Sequence, residues 1–299
     1  MRGWHDGFIA VDWGTTNRRA YRLGADGTVV DQMEDDAGVT AIKPGQFPAA
    51  LARITDRLGE APLLMAGMIG SNRGWQEAPY LPCPVSAPEL ARQLLWVEPE
   101  RVAIVPGVSF VGADHADVMR GEEVQVFGHM AEHDARETLL CHPGTHTKWV
   151  RVTDGAIVSF RTFMTGELFA LLREHSILAP LLHGGTEPDA DFLAGAEAGL
   201  AGANLAGELF SVRAGVLLGR RDPAQAAAWV SGLLIGADVA GGLAGCDTRA
   251  SPRNVIVLGR PTLNRLYVAA LAHAGIPAIG ADGGPAFIAG MLALRKELT

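Results

Sequence analysis

Apolar and polar positions alternate through residues 8–32, and two polar, glycine-bearing steps interrupt the alternation. A period of two predicts strands, here three strands of a meander. The spacing turns helical over 46–58. An apolar strand follows at 61–69 and runs into a polar, glycine-bounded loop at 70–75. Prolines hold 81–84 extended. A short helix is expected at 87–96, a strand at 101–105 and a helix at 121–132. Strands return at 138–163, and a helix opens at 165–172. A small-residue helical region spans 187–210, and helix continues over 224–243 until Ser251-Pro252 breaks it. The chain closes with a buried strand at 255–258, a helix at 262–274, a short strand at 278–279 and a helix at 285–298. A strand meander followed by helix-strand alternation, twice over, implies an α/β protein of two similar layers.

The repeat is visible in residues. Asp12-Trp13-Gly14-Thr15-Thr16 ends one apolar strand and opens the next. His142-Pro143-Gly144-Thr145-His146-Thr147-Lys148 follows the same plan. Each outgoing strand leads to an Asp-Gly turn, Asp26-Gly27 and Asp154-Gly155, and then to another apolar strand. Look-alike units far apart suggest two similar domains, 1–134 and 135–299. No linker marks the boundary; the repeat alone places it.

Composition narrows the classes. At 299 residues and 48% hydrophobic, each half can bury a core. Net charge is -8, so no basic nucleic-acid face is expected. Three distant cysteines, Cys83, Cys141 and Cys246, give no disulfide framework and suit a cytoplasmic protein. No signal peptide is evident, and no uninterrupted apolar run reaches the roughly 18 residues of a membrane span. The expected partner is a small molecule, with neither nucleic acid nor membrane; a homo-oligomer stays open. Phosphate-loop, dinucleotide, nucleophile-elbow and protein-kinase signatures are all missing from the sequence.

The candidate chemistry is phosphoryl transfer. A carboxylate at a strand end, Asp12, can hold Mg²⁺ through water, and Gly14, Thr15 and Thr16 offer amide and hydroxyl donors to phosphate oxygens. Gly144 and Thr145 can do the same from the second hairpin, across a cleft. His142 stands where Asp12 does, so only the first hairpin is equipped for metal. Lys148 is one of three lysines in an arginine-biased chain and sits inside the second motif. The loop 70–80 gathers Ser71, Asn72, Arg73 and Tyr80, groups that suit a sugar or sugar acid, with Arg73 able to grip a carboxylate by two parallel bonds. Glu122, just after Gly121 at a helix start, is a candidate base with Asp117 in reserve; plain helix capping is the equal alternative. Gly259 turns from strand to helix and can pass beneath an adenosine, as can Gly283 and Gly284. His142 with His146, and Asp114-His115 with Asp117, are weaker metal candidates, and turn residues are the better reading of the histidines.

Taken together these motifs resemble the actin/hexokinase/heat-shock ATPase superfamily. Gly121-Glu122-Glu123 through Phe127-Gly128 resembles the helix that carries the catalytic aspartate of glycerol-type sugar kinases, with glutamate in its place. Five stretches in one order are similar to the 2-dehydro-3-deoxygalactonokinase family: Asp12 to Asn17, Gly67 to Trp75 with Tyr80 to Pro84, Asp117 to Glu123, Pro143 to Trp149, and Thr162 to Leu168. The resemblance implies two ribonuclease-H-like domains around a nucleotide cleft. It also implies ATP and Mg²⁺, and phosphorylation of the 6-hydroxyl of 2-dehydro-3-deoxy-D-galactonate in galactose or galactonate catabolism. On that reading Lys148 or Arg19 neutralises charge developing in transfer, and Glu167 joins the acceptor residues. The rivals are another sugar or sugar-acid kinase of this fold, a phosphohydrolase, and an ATP-driven conformational protein.

Overall fold

A computed structural model describes residues 4–244 and 254–298; Cys246 and the expected break at Ser251-Pro252 lie outside them. The strands are β1 (Gly7–Trp13), β2 (Arg18–Gly24), β3 (Val29–Asp35), β4 (Leu63–Gly67), β5 (Tyr80–Pro82), β6 (Leu95–Glu98), β7 (Val102–Ile104), β8 (Gly107–Val111), β9 (Ala116–Met119), β10 (Thr138–His142), β11 (Thr147–Thr153), β12 (Ala156–Phe163), β13 (Val255–Gly259) and β14 (Ala278–Asp282). The helices are α1 (Phe47–Leu58), α2 (Ala87–Arg92), α3 (Glu122–His133), α4 (Thr165–His175), α5 (Ala190–Leu200), α6 (Leu205–Leu217), α7 (Ala226–Ala244), α8 (Pro261–His273) and α9 (Gly283–Lys296).

The chain groups into two compact units. One holds the described residues up to Glu137, Val152–Ser159 and the described residues from Gly283 onward; the other holds Thr138–Arg151 and Phe160–Asp282. The repeat divides the chain at 134/135, but contact grouping moves the last helix to the first unit. The cause is close helix packing. A methyl at Gly128 of α3 would meet the Ala286 carbonyl at 1.8 Å, and one at Gly290 of α9 would meet the Val124 carbonyl at 1.9 Å. Only glycine at both positions lets α3 and α9 touch backbone to backbone.

Each unit carries the same sheet plan. The first runs β3-β2-β1-β4-β7, with β6 added at the edge, and the second runs β12-β11-β10-β13-β14. β1 is antiparallel to β2 and parallel to β4, and β10 and β14 both lie parallel to β13. This is the ribonuclease-H-like order, so the expected α/β architecture of two such domains holds. β1 is buried almost throughout, as a central strand with covered faces must be, whereas β3 alternates between half-buried and exposed as an edge strand does.

Three expectations shift. Leu95–Glu98 is not the end of a helix; it pairs antiparallel with β7, and α2 stops at Arg92. Its Leu-Trp-Val run fits a pleated surface better than a short helix end. The strands β8 and β9 were not foreseen, and they form a small sheet with β5. The region 187–210 is two helices, because Asn204 caps α6 by accepting the Gly207 amide at 3.2 Å.

Separate apolar cores fill the units. Ile9, Val11, Trp13, Ile54, Met65 and Ile104 pack in the first. In the second, Leu139, Trp149, Phe192, Val239, Val257 and Leu271 form one cluster, and Val212, Trp229 and Leu233 anchor another. The stretch Pro223–Ala244, though interrupted by Gln225 and Asp238, is long and apolar enough to cross a membrane by length and composition, but its apolar window is 78% buried inside the protein.

Candidate functional site

The first hairpin grows from β1 and β2, whose register sets Asp12 opposite Arg19. The turn between them is held from its carbonyl side. The carbonyls of Gly14, Thr15 and Thr16 accept the amides of Val39, Thr40 and Gly38 at 3.0, 3.2 and 3.0 Å. Gly38 must be glycine, since a methyl there would lie 2.3 Å from the Thr15 carbonyl. With its acceptors taken, the turn keeps Thr15 and Thr16 exposed. Asn17 ties the turn down, receiving the Thr16 hydroxyl at 2.8 Å and donating to Asp36 at 3.0 Å.

Asp12 is not isolated. Arg19 Nη2 donates to its Oδ2 at 2.6 Å, with the side chains 32% and 19% exposed. Burial is the largest influence on the Arg19 guanidinium and pulls its pKa down, but the charges of Asp12, Tyr21 and Glu34 and the Asp12 hydrogen bond together hold it above the ordinary value. Arg19 is thus placed on the carboxylate. Among the described residues no group of three or more His, Cys, Asp or Glu could hold a metal, so Asp114-His115-Asp117 and the His142–His146 pair are not metal centres. A lone carboxylate beside phosphate donors fits Mg²⁺, which keeps most of its water and takes one or two protein carboxylates plus substrate oxygens.

The second hairpin, between β10 and β11, repeats the clamp. The Thr145 carbonyl accepts the Glu167 amide at 2.9 Å, and a methyl at Gly166 would lie 2.3 Å from the Gly144 carbonyl. Gly166 at the start of α4 therefore does for this turn what Gly38 does for the first. Thr145 and His146 are exposed at the tip. Two expected residues sit differently. Lys148 is only 6% exposed, and its Nζ donates to Thr162 at 2.9 Å instead of projecting from the tip. Glu167 pairs with His146 Nε2 at 2.5 Å, which makes it part of the second hairpin.

Sequence reasoning missed what stands beneath this hairpin. Asp238 on α7 is 2% exposed and accepts Trp149 Nε1 at 2.7 Å, the Tyr267 hydroxyl at 2.6 Å and the Thr165 hydroxyl. The Tyr267 hydroxyl also meets Thr147 at 2.7 Å. One carboxylate thus joins β11, α4 and α8. Burial raises its pKa, against the pull of these hydrogen bonds. A cavity of about 210 Å³ opens beside it, lined by Gly144, Thr165 and Gly166 together with apolar residues such as Phe169, Leu234 and Leu266. Its signal in the sequence was a single aspartate inside an otherwise apolar helix.

Gly259 ends β13 in register with Asp282, the residue before Gly283. Gly283 and Gly284 open α9 directly, without the turn expected there. The three glycines therefore stand at the carboxyl ends of parallel strands, where α/β sheets bind ligands.

In the first unit, β4 leads into the loop that the sequence assigns to the acceptor. Ser71 is buried and donates to the Met68 carbonyl at 2.8 Å, while its Oγ accepts the Arg73 amide at 3.2 Å. It shapes the loop, and Asn72 and Arg73 are exposed, as are Gln76, Glu77 and Tyr80. Trp75 stacks on Phe47, and Tyr80 lies under the Arg120 guanidinium at 4.2 Å. Glu122 is the first residue of α3, half-buried, and its carboxylate accepts the Arg120 amide at 3.1 Å. Glu123 accepts the Gly121 amide with both oxygens, at 2.8 and 2.7 Å, and is fully buried. Burial first, and the Glu122 charge second, push its pKa up to about 8. Of the two glutamates, Glu123 caps and Glu122 is the one that can meet a ligand. Asp117 lies apart on β9, opposite Phe110.

The comparisons with known proteins agree with this geometry. The family model for 2-keto-3-deoxy-galactonokinase matches residues 12–294. A 2-dehydro-3-deoxygalactonokinase of Escherichia coli is 38% identical over 97% of this chain and 98% of its own. A chain of Rhizobium meliloti, provisionally given the same name, is 36% identical over 97% of each. A crystal structure from Sinorhizobium meliloti, again provisionally so named, superposes with a TM-score of 0.87 at 35% identity and covers 97% of this chain and 99% of that one. The chain belongs to the 2-keto-3-deoxy-galactonokinase family.

Proposed function

We propose that this protein transfers the γ-phosphoryl group of ATP to the 6-hydroxyl of 2-dehydro-3-deoxy-D-galactonate. The observation that carries the reading is the pair of glycine-threonine hairpins, each bonded through a carbonyl from behind, with Thr15 and Thr16 exposed on one and Thr145 on the other. Such turns suit phosphate oxygens. In this reading Gly14, Thr15 and Thr16 bind phosphates from one unit, and Gly144 and Thr145 bind them from the other. Asp12 holds the hydrated Mg²⁺, which supplies charge neutralisation at the β- and γ-phosphates. Arg19 releases one Asp12 oxygen as it turns to phosphate, and Lys148 supports the second hairpin from below through Thr162. The nucleoside takes the cavity beside Gly144, with Gly259, Gly283 and Gly284 at the carboxyl edge of the same sheet.

Glu122 accepts the proton of the acceptor hydroxyl from its place at the start of α3. Asn72, Arg73 and Tyr80 read the acceptor on a loop that Ser71 shapes. Positioning and preorganised charge, more than acid–base chemistry, carry such transfers. The deciding test is phosphorus NMR of the product formed from ATP and a panel of 2-keto-3-deoxy sugar acids. A 6-phosphate ester formed only with the galactonate derivative supports the reading. A product with neutral sugars alone, or ADP released without any acceptor, refutes it.

A further inference from the structure

The first unit buries two arginines and treats them unequally. Arg18 is 1% exposed, and every guanidinium nitrogen has an acceptor: Nε and Nη2 meet Asp35 at 3.1 and 2.5 Å, and Nη1 meets the Ala50 carbonyl at 2.9 Å. Arg120 is 8% exposed. Its Nη2 donates to the Ala78 carbonyl at 2.7 Å, but Nε and Nη1 are fully covered and have no hydrogen-bond partner among the described residues. The Arg120 charge lies within electrostatic reach of Glu123, but the two carboxylates accept the backbone amides of Arg120 and Gly121 and not the guanidinium. The guanidinium lies flat on Tyr80, and a methyl at Gly70 would come within 2.9 Å of Nη1. The surroundings thus close over Nε and Nη1 without offering either an acceptor among the described residues. Leaving buried guanidinium donors unmet is costly, and a bound ligand is one way to supply the missing acceptors.

We propose that Arg120 is the seat of the acceptor's carboxylate, reached when the irregular loop from Ser71 to Pro79 lifts off the guanidinium. The inference rests on the reading that the acceptor is a sugar acid. It makes Arg120, not only the exposed Arg73, the residue that separates acids from neutral sugars. A planar fork with unmet donors suits a carboxylate, and its stacking on Tyr80 fixes the plane in advance.

The test compares Arg120→Gln and Arg120→Lys with the native enzyme on two acceptors, the keto acid and its C1 amide. Arg120→Gln is expected to raise KM for the acid about tenfold or more, while KM for ATP and for the amide stays within about twofold. Arg120→Lys, which keeps the charge and loses the fork, should recover part of the loss. Equal losses on both acceptors, or an unchanged KM for the acid, overturn the inference. If Arg120→Gln does not fold, Arg120→Lys decides alone: a rise in KM confined to the acid supports the proposal, and no such rise overturns it. A native enzyme inactive on the keto acid in the NMR panel removes the sugar-acid reading and this inference with it, whereas an active one leaves the variants to judge Arg120 separately.

Discussion

The two hairpins share a backbone and differ in what stands behind them. A following segment that carries a glycine backs each turn: the Gly38 segment bonds three carbonyls of the first, and Glu167 beside Gly166 bonds the Thr145 carbonyl of the second. Behind the first lies an ion pair, Asp12 with Arg19, partly open to solvent. Behind the second lies a closed network around Asp238, next to a largely apolar cavity. One plan has therefore been fitted to two tasks. A partly exposed carboxylate can exchange its arginine for a hydrated cation, whereas a buried and fully bonded one can only hold its neighbours in place. The contrast teaches that the repeat conserves the cradle and varies its foundation.

Four measurements would break or sharpen that contrast. The largest effect is expected from Asp12→Asn, which should lower kcat on the order of 10²–10³-fold in a coupled ADP assay while the protein stays folded. Adding His142→Asp should not restore the rate; if it does, the hairpins are interchangeable and the division of labour is wrong. Next, Gly38→Ala and Gly166→Ala should each raise KM for ATP about tenfold and cost ~1–3 kcal/mol in denaturant unfolding, because the new methyl collides with a turn carbonyl. An effect on one side only would show that a single hairpin holds the phosphates.

Asp238→Asn puts an amide donor among three donors. It should cost about 1–3 kcal/mol and weaken ATP binding more than acceptor binding; calorimetric titration with each ligand reads the difference, and equal weakening would reduce Asp238 to a general core residue. The smallest effect concerns pH. Glu123 titrates near 8 in the folded protein against an ordinary 4.5, so the folded state binds the extra proton between those values. Its contribution to stability is complete below pH 4.5 and is lost as pH rises through about 8. Glu123→Gln should therefore match the native protein at pH 4.5 and melt on the order of a few °C higher at pH 9. Parallel melting curves across that range would contradict the assignment.

The turns and the helix start around the expected site were legible because their signals are local. Asp12, Gly14 and Thr15, and their partners Gly144 and Thr145, fall within single turns, and period-two alternation fixes the strands that flank them. Glu122 was placed at a helix start by Gly121 before it. What was misread depended on distant partners. Lys148 stands one residue inside a buried strand, so its ammonium turns to Thr162. Glu167 was grouped with the acceptor residues, but its carboxylate pairs with His146 on the second hairpin. Arg120 drew no notice, since an arginine in a sequence does not disclose whether its fork is satisfied.

The sequence by itself determined the doubled α/β plan, the two glycine-threonine turns and the family, for these rest on short-range periodicity and on residues adjacent in the chain. Only the tertiary structure decided that α9 packs with the first unit, that Asp238 underlies the second hairpin, and that two nitrogens of the buried Arg120 find no acceptor among the described residues. The physical reason is range. Periodicity and turn preference act over a few residues, while burial, close packing and charge compensation are settled by groups tens to hundreds of positions apart.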